Sequence, residues 1–97
     1  MSIEYAWTGA RRDFDRAVLL AHGAGSDMHA PALTVVADAL ARSGVPTLRF
    51  DYPYRSAGRR APDRPAVLEA TTREAVAELA RRTGLPNERL VLGGRSM

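Results

Sequence analysis

The sequence predicts an α/β fold, an incomplete parallel sheet with crossover helices, and three observations carry that prediction. Short strand-like apolar segments alternate with longer segments of helical spacing along the 97 residues. One strand, Ala17 to Ala21, is apolar without the every-second-residue alternation of a half-wet strand, which marks burial on both faces. The last three strands are joined in β-α-β-α-β order, the order of a parallel sheet, and the right-handed crossover rule admits few arrangements of it.

Each element has its own signal. In "IEYAW", Ile3, Tyr5 and Trp7 share one side, the two-residue period of a half-buried strand, and "TGARRDFD" reads as a turn. "RAVLLAH" is the doubly covered strand. From Pro31 the spacing becomes helical, with Leu33, Val36, Ala37 and Leu40 on one stripe and Gly44 at the stop. A strand "VPTLRF" follows, and then "YRSAGRRAPDRP", whose Gly, Pro and Arg content reads as a loop. Leu68, Thr72, Ala75 and Leu79 mark a second helix face, with Pro65 near its start and Gly84 and Pro86 past its end. "RLVLGG" is the last strand. No internal repeat or second domain is visible.

Composition narrows the function classes. The net charge of +3 includes fourteen arginines and no lysine, scattered over every segment except for Arg55, Arg59, Arg60 and Arg64. A nucleic-acid binder gathers its basic residues on one face with aromatics between them, so nucleic acid is not an expected partner. The absence of cysteine removes disulfides and thiolate metal sites and fits a reducing compartment. No apolar run approaches the roughly 20 residues of a membrane span, and the start has no signal-peptide core. The expectation is a soluble, cytoplasmic chain with no membrane partner.

In a parallel sheet the chemistry gathers at the carboxyl ends of the strands. Here those ends read "HGAGSDMHAP", "DYPYR" and "GGRSM". Gly23 and Gly25 free the backbone so that amides can turn toward an anion. Gly94-Arg95-Ser96-Met97 is four-fifths of G-x-S-x-G, the turn that lifts a nucleophilic serine off a strand end, and Gly93 and Gly94 permit so tight a turn because a side chain there would strike the neighbouring strands.

Taken in order, "LLAHGAGSDMHAP", "LRFDYPYR" and "LVLGGRSM" resemble the amino-terminal half of α/β-hydrolase-fold proteins, most closely the bacterial hydrolase-like group related to dienelactone hydrolases. The resemblance covers about Ala17 to Met97 and implies one partial domain over residues 1–97, ending inside the nucleophile turn. It implies Ser96 as nucleophile and the backbone N–H groups of Met97 and Ala24 as the oxyanion hole. His22, Gly23, Gly25 and Gly94 then shape the loops of the site, His22 through hydrogen bonds. A small-molecule substrate with an ester or related acyl bond is implied, with no cofactor and no metal; the oligomeric state stays open.

In that family the acid and the histidine of the triad follow the serine, and nothing follows it here. A serine hydroxyl is a weak nucleophile without a base, and loss of the serine or histidine of such a triad has cost about a million-fold elsewhere. The 97-residue chain is therefore expected to be inactive as a hydrolase, as part of a longer active protein. His22 and His29 lie on the oxyanion side and lack a third ligand in register for a metal. Asp51 is expected to bond loop amides. Two alternatives stand beside the enzyme: a non-catalytic scaffold on the same fold, and a dinucleotide-binding Rossmann-like domain, weakened because Met28 occupies the third glycine position. "RLVL" with one edge unpaired is expected to make the isolated chain associate or fold only in part.

Overall fold

The computed structural model describes residues 3–59 and 61–94. A four-stranded sheet carries helices on both faces. Its strands are β1 (Tyr5–Thr8), β2 (Ala17–Ala21), β3 (Thr47–Phe50) and β4 (Leu90–Gly94), in the spatial order β1-β3-β2-β4. β2 runs parallel to both neighbours, with Ala21 opposite Phe50 on one side and Gly94 on the other. β1 is antiparallel to β3, with Tyr5 opposite Phe50, so the sheet is mixed at that edge.

The uniform hydrophobicity of β2 follows from its position. Ala17 and Leu19 face one core, built with Leu48 and Phe50 of β3 and with Ala75 and Leu79 of α3 (Pro65–Thr83). Val18 and Leu20 face the other, against Leu33 and Ala37 of α1 (Pro31–Arg42). Each leucine so buried contributes about 1.5–3 kcal/mol relative to exposure. Ile3, Tyr5 and Trp7 pack against the first core, as their two-residue period predicts.

Both long helices begin with proline in the first turn, where its missing N–H costs nothing. α3 stops at Gly84, whose φ of 68° is the left-handed conformation that glycine adopts freely, and whose N–H bonds the Ala80 carbonyl at 2.8 Å.

Three details differ from the sequence reading. Val36 is 43% exposed, because α1 presents only Leu33, Ala37 and part of Leu40 to the sheet. On α3 the fully buried threonine is Thr71, not Thr72; its hydroxyl donates to the Val67 carbonyl at 2.7 Å, which makes the burial affordable. The stretch read as a loop begins within a short helix, α2 (Pro53–Ser56). Its signal was masked by the Gly, Pro and Arg around it, and a residue distant in sequence supplies its cap: the Tyr54 N–H donates to Asp63 Oδ2 at 2.9 Å.

Candidate active site

The register of β2 against β3 and β4 brings three strand ends together. Beyond β2 the chain enters a loop over residues 22–30 before α1 begins, and an open cleft of about 350 Å³ lies there, lined by His22, Gly23, Ala24, Ser26, Pro31 and Leu33 among others.

His22 is 1% exposed and both ring nitrogens are engaged. Nδ1 lies 2.8 Å from the Gly23 carbonyl, which can only accept, and Nε2 takes the Tyr52 N–H at 3.3 Å. These partners assign the Nδ1-protonated tautomer. Asp51 Oδ1 stands 3.8 Å from Nε2 and bonds elsewhere.

A consequence for the next residue follows from peptide geometry. The Gly23 carbonyl is held twice, by the imidazole and by the Ser26 N–H at 3.1 Å. The peptide is trans and planar, so the Ala24 N–H points opposite to that carbonyl, away from the buried imidazole. Ala24 is exposed on the cleft, and among the described residues no backbone acceptor takes its N–H. Gly25 follows with φ of 73°, a conformation that a residue with a side chain adopts only with strain.

Four side chains from the segment after and within β3 hold this loop. Asp51 Oδ1 accepts the Met28 N–H at 2.7 Å, the loop amide bond expected of it. Arg49, buried in the sheet, donates from Nη1 to the Met28 carbonyl at 2.7 Å and from Nη2 to Thr8 Oγ1 at 3.3 Å. The Tyr54 hydroxyl accepts the Gly25 N–H at 3.3 Å, and Arg55 Nη2 lies 3.8 Å from Asp27 Oδ2. His29 is exposed, and its backbone N–H donates to Asp27 Oδ1 at 2.8 Å within the loop. Two arginines of the arginine-rich stretch also bond within it: Arg59 Nη2 meets Asp63 Oδ1 at 3.1 Å, and Arg55 Nη1 meets the Arg59 carbonyl at 2.9 Å.

At the end of β4, Gly93 and Gly94 lie opposite Leu20 and Ala21. A Cβ on Gly94 would stand 2.5 Å from the Ala21 carbonyl oxygen, and one on Gly93 3.2 Å from a Leu20 methyl. The strand end is thus packed at backbone distance against β2. Ser96 and Met97, the sequence candidates for nucleophile and second amide donor, lie outside the described residues.

Sequence reasoning missed Arg49, Tyr54 and Asp63. Arg49 carried one usable signal, a charge between Leu48 and Phe50 in an otherwise apolar strand. Tyr54 lay in the singled-out strand end "DYPYR" but was given no role, and nothing marked Asp63; their partners are 29 and 9 residues away.

The dinucleotide alternative meets a topological obstacle. β4 lies beside β2, whereas the usual dinucleotide-binding order places the third strand beyond the second. Among the described residues no helix is long and apolar enough to cross a membrane. Comparison with protein-family models matches residues 14–97 to the alpha/beta hydrolase domain. Comparison with curated proteins gives no match.

Proposed function

The chain belongs to the alpha/beta hydrolase domain family, and on that premise we propose that it is the amino-terminal part of a serine hydrolase acting on an ester or related acyl bond of a small molecule. Ser96 is the nucleophile in this reading. The backbone N–H groups of Ala24 and Met97 receive the negative oxygen of the tetrahedral intermediate, and the acid and base of the triad lie further along the complete protein.

The observation that carries the reading is the outward N–H of Ala24 beyond the carboxyl end of β2, which no backbone acceptor among the described residues takes. An oxyanion donor must be aimed before the charge develops, so that no reorganisation is needed at the moment of reaction. His22 supplies that aim by holding the Gly23 carbonyl. The pairing of Ala21 with Gly94 brings the two strand ends side by side, and Ala24 and Ser96 each follow within three residues. His22 has both nitrogens committed to backbone groups and does not serve as the base.

The test is labelling of the complete protein with a fluorophosphonate, which reacts only with an activated serine. Labelling that disappears in Ser96→Ala is expected, together with none in the 97-residue chain. A complete protein that takes no label is a scaffold on a hydrolase fold.

A further inference from the structure

We propose that Tyr54 is a positioning residue for the Ala24 amide, an inference that rests on the hydrolase reading above. Ala24 stands between two peptide planes. The first, shared with Gly23, is fixed by the imidazole of His22 and the Ser26 N–H. The second, shared with Gly25, ends in the N–H that the Tyr54 hydroxyl accepts at 3.3 Å. With both planes held, the torsions of Ala24 have no room to swing its N–H off target. Release of the second plane leaves the amide supported from one side only, next to a glycine that samples φ of either sign.

Tyr54 is suited to this by its own anchoring. Its ring is 0% exposed, packed edge-on against His22 with centroids 5.9 Å apart and stacked on Tyr52 at 6.4 Å. Its backbone N–H is tied to Asp63. The neighbouring Arg55 faces Asp27 in the same loop. α2 therefore works as a brace, rigid at its back and touching the loop at two points. Loop positions set by a buried side chain are held more closely than those set by solvent-exposed contacts, and displacement of a reacting group by about 1 Å costs on the order of a hundred-fold.

The substitution Tyr54→Phe keeps the ring and removes the acceptor. In the complete protein, two readouts are taken: hydrogen exchange at the Gly25 amide, and steady-state hydrolysis of p-nitrophenyl acetate. Exchange at Gly25 is expected to accelerate at least about tenfold while amides of β2 and α1 keep their protection. kcat is expected to fall about tenfold with KM unchanged, short of the hundred- to thousand-fold that loss of an oxyanion donor costs. Thr72→Val, which breaks the Tyr52 to Thr72 hydroxyl contact of 3.1 Å, is the control and should leave kcat as it is. Unchanged exchange at Gly25, or faster exchange with kcat intact, would overturn the proposal. Wild-type protein without Ser96-dependent turnover would overturn the hydrolase reading itself and, with it, the catalytic role of Tyr54, whatever the exchange shows.

Discussion

Met28 is gripped from both of its backbone sides, its N–H by Asp51 and its carbonyl by Arg49, two side chains that alternate with Leu48 and Phe50 along the end of β3. Asp51→Ala leaves a buried N–H without an acceptor and is expected to lower unfolding free energy by about 1–3 kcal/mol, read from urea denaturation of the complete protein. Asp51→Asn keeps an acceptor oxygen and should lose less. A second residue-scale expectation concerns Glu78, whose carboxyl is held below its usual range by hydrogen bonds first from Arg82 and then from Arg81. A depressed carboxylate stabilises the fold above its unfolded value of about 4.3 and loses that contribution as pH falls through the folded one. The stability of Glu78→Gln should therefore converge on that of the wild type as pH drops below about 4, in parallel denaturation series. Both residues are visible in the sequence as charges, but only Asp51 could be given a partner, because a strand end in a parallel sheet has few places to point. Tyr54 could not, since its role depends on where α2 lies.

At the scale of the element, the last strand is the most exacting. Gly94 lies so close to Ala21 that Gly94→Ala must push the backbones apart, at a cost of about 2 kcal/mol or more, whereas Gly93→Ala meets only the tip of Leu20 and should be milder. Thermal unfolding of the two variants should rank them in that order. The strands and long helices were legible because burial imposes periodicity: β2 is covered twice and shows no alternation, while Ile3, Tyr5 and Trp7 are covered once and alternate. Helix rotation was legible too: Leu68, Ala75 and Leu79 all pack on the first core, and only the buried threonine differs, Thr71 in place of its neighbour Thr72, since a threonine that bonds its own helix is tolerated in either place. α2 escaped notice altogether, since four residues carry no period and its stabilising carboxylate arrives nine residues later.

For the molecule as a whole, the open side of β4 dominates. Val91 and Leu92 are 50% and 56% exposed, and among the described residues no strand pairs with the outer edge of β4. The 97-residue chain in isolation is expected to associate, and Val91→Lys with Leu92→Lys should shift it toward monomer in sedimentation velocity. A monomeric wild-type chain with cooperative unfolding would count against this. The same arrangement bears on how the chain comes to be folded on the ribosome. β2 can find β3 early, across the single helix between them, but its other flank waits for Leu90 to emerge opposite Ala17. Until that distant segment is synthesised, β2 stands half bare, so its capture by β4 is expected to be a slow event in assembly, and the interval before it is when a chaperone has apolar surface to cover.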